Sequence, residues 1–129
     1  MAIEFTLKTF INAPPSEVYD AWLNSEKHGT MIGASAMITP ETGSEFSAWD
    51  GYITGKNLEL VPDKKIVQSW RTIEFMDSDE DSILEVRLAP VKRGCEITLI
   101  HSNIPDNQPD YAQGWAENYF DPMREYFLP

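Results

Sequence analysis

The chain carries one cysteine in 129 residues, Cys95. A lone thiol closes no internal disulfide, so the fold must rest on its core, and the usage fits a reducing compartment. Histidine is nearly as scarce. His28 and His101 are the only two, and no HxxxH or CxxC spacing accompanies them. That argues against a metal centre. Basic residues are few as well: 10 Lys and Arg stand against 21 Asp and Glu, for a net charge of −11. Such a chain is repelled by DNA, RNA and anionic lipid, which excludes nucleic acid as a partner. There is no run of about 18 apolar residues, so membrane insertion is not expected. The opening MAIEFTLKTFINAPP lacks a charged-then-apolar leader. These absences together predict a cytoplasmic protein.

What is present is a core-forming composition. Hydrophobic residues make up 42% and aromatics 12%, enough for a globular chain without staples. The length suits a single domain over residues 1–129.

Residues 3 to 12 alternate, with Ile3, Phe5 and Leu7 on one side, and read as a first strand. APPSEVYDAWL then changes period. Pro14 and Pro15 suit a helix start, and Val18 with Trp22 and Tyr19 with Leu23 form one apolar face. This predicts a helix of about ten residues, ending near Asn24 or the His28-Gly29 pair. From 33 to 101 the pattern is strand and turn. Segments 33–39 and 43–49 flank a Pro-Glu-Thr-Gly turn. Asp50-Gly51 signals a type I′ hairpin, which places Trp49 and Tyr52 opposite each other. Val61-Pro62-Asp63-Lys64 turns the next pair. Residues 83–89 and 95–101 alternate cleanly. About six short strands in this region predict an antiparallel sheet.

Residues 107 to 128 read as a long helix. Trp115, Tyr119, Met123 and Tyr126 recur at helical spacing, with Asp106 or Asn107 as cap and Pro109 in the first turn. Pro122 lies deep inside and removes a hydrogen bond to Asn118, which predicts a kink. The expected fold class is α+β: a curled antiparallel sheet wrapped around a long C-terminal helix, with a short helix after the first strand.

Several stretches then coincide with one family: INAPPSEVYDAWLNSEK, GSEFSAWDGYITGKNLELVPDKKIVQSWR, SILEVRL, EITLIHSNIP and QGWAENYFDPMREYF. Over nearly its whole length the chain resembles the activators of heat-shock-protein-90 ATPase, within the START-like superfamily of the birch-pollen-allergen helix-grip fold. The departures are Phe75-Met76, where the family often has a Trp-Pro-type segment, and Gly43-Ser44 in place of Gly-Gly. The resemblance implies a helix-grip domain. Superfamily members bind lipids, hormones or polyketides in a cavity, and the named activators engage a heat-shock chaperone.

The aromatic set is the main functional candidate. Trp22, Phe46, Trp49, Tyr52, Trp70, Phe75, Trp115 and Tyr119, with Met123, are expected to line a space between sheet and helix and to bind a small apolar molecule. For each ring taken singly, plain core is the alternative. Gln68, Arg71 and Glu85 are candidate polar groups for that space, and Gly114 is a candidate for close approach of helix to sheet. Cys95 sits in an alternating strand and reads as a small buried apolar residue rather than a nucleophile. His101 shares its parity with Ile97 and Leu99. The acidic loop Asp77-Ser78-Asp79-Glu80-Asp81 invites a calcium reading. It fails the EF-hand pattern at Ser82, where Gly is needed, and at Leu88, where Glu is needed. No phosphate loop is present, and neither cofactor nor metal is expected. Three functions follow in order: a non-enzymatic ligand-binding module, a co-chaperone acting on a chaperone ATPase, and an enzyme of the cyclase or hydratase kind.

Overall fold

β1 (Ile3–Ile11) follows its alternation from Phe5 on, with Phe5, Leu7 and Ile11 turned inward and Glu4, Thr6, Lys8 and Phe10 exposed. Ile3, expected on the same side as Phe5 and Leu7, is exposed beyond a register shift between Ile3 and Phe5. The computed structural model describes residues 2–128. Pro15 opens α1 (Pro15–Trp22) at the position where a missing N–H costs nothing, and Val18, Ala21 and Trp22 bury the inner face.

The chain does not leave helix there. A second helix, α2 (Ser25–Ile32), starts at Asn24, whose side chain accepts the Lys27 N–H at 2.9 Å. It buries His28, Met31 and Ile32. The predicted single helix is therefore two, because Asn24 caps a new one where it was expected to end the first. Gly29 sits inside α2 because any Cβ there would lie 2.8 Å from the Ala34 carbonyl oxygen.

The expected strand 33–39 is absent. That segment makes only one bridge, Met37 to Ser47. Side chains satisfy its backbone instead of a ladder. Ser25 Oγ accepts the Ile38 N–H at 2.9 Å and donates to the Ile38 carbonyl at 3.0 Å. Asn57 Nδ2 donates to the carbonyls of Thr39 and Glu41. The region then runs through β2 (Glu45–Ala48), β3 (Ile53–Val61), β4 (Lys65–Thr72), β5 (Ser82–Val91) and β6 (Gly94–Ile104), one strand fewer than predicted. With β1 they form one six-stranded antiparallel sheet in the order β1-β6-β5-β4-β3-β2.

The inner face carries Ile66, Gln68 and Trp70 from β4, Leu84, Val86 and Leu88 from β5, and Cys95, Ile97, Leu99 and His101 from β6, all buried. Across it lies the C-terminal helix: α3 (Tyr111–Trp115), a π-helical turn (Ala116–Phe120) and α4 (Asp121–Tyr126). It is shorter than the predicted 107–128. Asp110, not Asp106 or Asn107, is the cap, accepting the Gln113 N–H at 3.1 Å, and Pro109 precedes the helix. Gln108 before Pro109 is steered out of the helical region, which sets this later start. The irregularity expected at Pro122 takes the form of the π turn, in which the Asp121 N–H reaches back five residues to the Ala116 carbonyl. Trp115, Tyr119 and Met123 point inward as their spacing predicts. The architecture is the helix-grip arrangement, a START-like α+β fold.

Candidate aromatic cleft

The hairpin between β2 and β3 turns at Asp50-Gly51, with φ of 57° and 91° and the Tyr52 N–H bonded to the Trp49 carbonyl at 3.1 Å. Two positive φ values in a row are what a type I′ turn demands, and Gly51 adopts its value without a side-chain penalty. The ladder, however, stops at Ala48–Ile53. Trp49 itself sits at φ 53°, a left-handed conformation that costs a non-glycine residue about 1–2 kcal/mol. Trp49 and Tyr52 are therefore not a cross-strand pair. The left-handed step at Trp49 breaks strand parity and carries both rings to the mouth of the sheet.

There they face the start of the C-terminal helix across a cleft of about 560 Å³. Trp49, Tyr52 and Ile53 form one wall, Trp70 of β4 lies at the base, and Tyr111, Trp115 and Tyr119 form the helical wall. The rings are mutually fixed. Trp70 meets Trp115 at 5.7 Å and Tyr111 edge-on at 5.0 Å, and Trp115 meets Tyr119 at 4.7 Å between centroids. The rim is polar: Asp110, Gln113, Glu117 and Asn118.

Behind this wall a chain of hydrogen bonds locks the rings. The Trp115 indole N–H donates to His101 Nδ1 at 3.0 Å, so the His101 proton is on Nε2, 2.9 Å from Ser82 Oγ. Ser82 donates onward to the Trp70 carbonyl at 2.6 Å. His28 takes the other tautomer: its Nδ1–H donates to the Trp22 carbonyl at 2.7 Å, and its Nε2 accepts the Tyr119 hydroxyl at 2.8 Å. Burial lowers the pKa of both histidines, His101 to about 3. Burial also raises Tyr52 to about 12, reinforced by its bond to Glu74. Among the described residues no buried side-chain nitrogen or oxygen lacks a partner.

The expected lining residues divide. Trp49, Tyr52, Trp70, Trp115 and Tyr119 line the cleft. Trp22, Phe75 and Met123 lie in the closed core, with Trp22 stacked behind Trp115 at 6.2 Å. Phe46 faces a separate hollow with Arg71 and Asp81. Gln68 is buried and holds Asn57, Arg71 pairs with Asp81, and Glu85 with Arg87, so none reaches the cleft. Gly114 makes no close approach to the sheet. A Cβ there would meet nothing nearer than Asn118 Nδ2 at 3.8 Å, and the residue is simply part of the cleft wall. Tyr111 and the rim residues Asp110 and Glu117 were not anticipated as lining. Tyr111 stands four residues before Trp115 and so extends the apolar rhythm of the helix, the one signal the sequence offers for it.

Elsewhere, nucleophile chemistry finds no support. Burial pushes the Cys95 thiol up to about 11, and both histidines have their two nitrogens occupied. In the acidic loop Asp79 accepts the Met76 N–H and Asp81 pairs with Arg71, which uses these carboxylates within the turn. No helix among the described residues is long and apolar enough to cross a membrane.

Similarity to known proteins adds a family to this geometry. The chain is 28% identical over 127 residues to human activator of 90 kDa heat shock protein ATPase homolog 1, covering 96% of this chain and 37% of that protein. It is 27% identical over 122 residues to the Dictyostelium discoideum activator of 90 kDa heat shock protein ATPase homolog, covering 94% and 32%. The chain thus spans about a third of the length of the curated relatives it matches. The crystal structure of an HSP90 activator from Plasmodium falciparum superposes with a TM-score of 0.83 at 24% identity, over 97% of this chain and 94% of that one. The profile of the family "Activator of Hsp90 ATPase homolog 1-like protein" matches residues 12–127, and the chain belongs to that family.

Proposed function

We propose that this domain is a protein-interaction module that engages a heat-shock chaperone of the Hsp90 class and stimulates its ATPase. Family membership over residues 12–127 carries the reading, together with relatives named for that activity. The surface is suited to it. The β4–β5 loop brings Glu74, Asp79 and Glu80 beside Asp106 of the β6–α3 loop around one hollow. A patch of that charge favours a basic partner face, speeds encounter and weakens with salt. The test is chaperone ATPase turnover and binding with the chaperone from the same source, at low and high salt. Stimulation that declines as salt rises is expected. No binding at roughly tens of micromolar removes the reading.

A second reading is favoured by one specific observation, the ring-lined cleft. Its size falls in the range of small-molecule sites, and its apolar walls with a polar rim have the usual composition of one. In this reading the cleft holds a small molecule with an apolar body. Saturating ligand, at about 100 times its dissociation constant, then adds about 2.7 kcal/mol to stability. Fluorescence of Trp49, Trp70 and Trp115 reports occupancy directly. A panel of sterols, flavonoids and fatty acids that moves neither fluorescence nor thermal midpoint counts against it.

A further inference from the structure

Every hydroxyl proton among the cleft tyrosines is engaged away from the opening. Tyr52 donates to Glu74, Tyr111 donates to Gln108 at 2.7 Å, and Tyr119 donates to His28 Nε2. The Trp115 indole N–H is likewise held by His101. Thr72 meets the Tyr111 hydroxyl at 3.1 Å and the Trp49 side chain hydrogen-bonds Tyr119, so what these residues offer the cleft is aromatic ring surface. The rim continues the theme. Asp110 and Glu117 each accept one bond from Gln113, which leaves a second carboxylate oxygen on both. No Lys or Arg lines the cleft.

A neutral apolar guest gains only burial in such a site, and a carboxylate meets two like charges with no cation to answer it. A cation gains from both parts. Ring systems attract a positive charge through their quadrupoles, best for Trp, and clustered aromatic rings are the known receptacle for quaternary ammonium groups. Long-range charge points the same way, since a chain of net charge −11 concentrates cations at its surface. Resting on the second reading above, which supplies the cleft as a ligand site, we propose that this cleft selects small organic ammonium ions. The cationic head lies against the partly exposed rings of Trp49, Tyr52 and Tyr111, over the buried Trp70 and Trp115, and is faced by the carboxylates of Asp110 and Glu117.

Three molecules of one shape isolate the charge: choline, its neutral carbon isostere 3,3-dimethylbutan-1-ol, and the anion 3,3-dimethylbutanoate. Each is titrated into the ¹⁵N-labelled protein while the four indole N–H resonances are followed. Choline is expected to shift the Trp49 signal and to bind at least about tenfold tighter than the alcohol, a difference of about 1.4 kcal/mol. The anion is expected to bind more weakly than both. Asp110→Asn combined with Glu117→Gln keeps the helix cap, since Asn caps as well as Asp. It should reduce choline to the affinity of the alcohol and leave the alcohol unchanged. Trp49→Ala should weaken both.

The outcomes separate the two ideas. Equal binding of choline and the alcohol overturns charge selection and leaves the cleft a ligand site. Choline binding untouched by all three substitutions places the cation elsewhere and overturns the assignment. Silence from all three molecules overturns the ammonium site and counts against the cleft reading with it.

Discussion

Trp115→Ala is expected to lower the unfolding free energy by about 3–5 kcal/mol for the lost ring and the cavity left behind. A further roughly 1–3 kcal/mol follows from stranding His101 Nδ1, whose only donor is the Trp115 indole. The ring is buried among Trp22, Trp70 and Tyr119, all fixed by neighbours of their own, so the site cannot collapse cheaply. Against a total stability of about 5–15 kcal/mol, the variant stands close to unfolding at ambient temperature. Trp115→Phe separates the two contributions, because it keeps most of the volume and removes only the N–H. Urea denaturation followed by far-ultraviolet circular dichroism measures both. An unchanged midpoint for Trp115→Ala would show that the helix does not close the core through this ring.

Most of that core is legible in the sequence. The 3.6-residue rhythm of Trp115, Tyr119 and Met123 and the twofold alternation of Leu84, Val86 and Leu88 are strong signals, because a buried face leaves no freedom of register. The failures fall where side chains replace backbone pairing. Residues 33–39 look extended, yet Ser25 and Asn57 bind their backbone from other elements, 13 and 18 residues away along the chain, which no local pattern reveals. Asn24 read as a helix end is in fact a helix start, because the same residue type serves both.

The cleft was legible in its rings and not in its boundary. Trp49 and Tyr52 were expected to share a face because alternation was assumed to hold up to the turn. They do meet the same space, through the left-handed backbone of Trp49 rather than through pairing. Trp22 and Met123 carry the same aromatic or apolar signal as Trp115 but do not reach the cleft, since spacing gives a direction and not which cavity a side chain borders. Asp110 and Glu117 are invisible to a hydrophobic pattern and emerge only when the helix start is fixed by its cap.

Acid should unfold this protein from an unusually high pH, and the two histidines set the window. In the unfolded chain each has an ordinary pKa near 6.5. In the folded chain His101 must stay neutral, because protonating Nδ1 would point a second N–H at the Trp115 indole, and burial brings its pKa to about 3. His28 is also lowered, by burial first, with its bond to the Trp22 carbonyl opposing. The sign follows from proton counting. Below pH ~6.5 the unfolded state takes up protons that the folded state refuses, so stability is present above that pH and is lost as pH falls. Each refused proton costs about 1.4 kcal/mol per pH unit. For His101 alone this amounts to about 4–5 kcal/mol by pH ~3. Carboxylates in general titrate nearer pH 4, so the interval from about 6.5 to 5 isolates the histidines. Urea midpoints measured across that interval are expected to fall steadily. In His101→Phe, which keeps a ring of similar size and cannot take a proton, the slope should become shallower. Histidine ring resonances supply the direct check: the His101 signal is expected to stay flat from pH ~8 to ~5, and His28 to titrate below the ordinary histidine value. A His101 signal titrating with a midpoint near 6 would mean that the Trp115–His101–Ser82 chain opens freely to water, and the rigid wall assigned to the cleft would go with it.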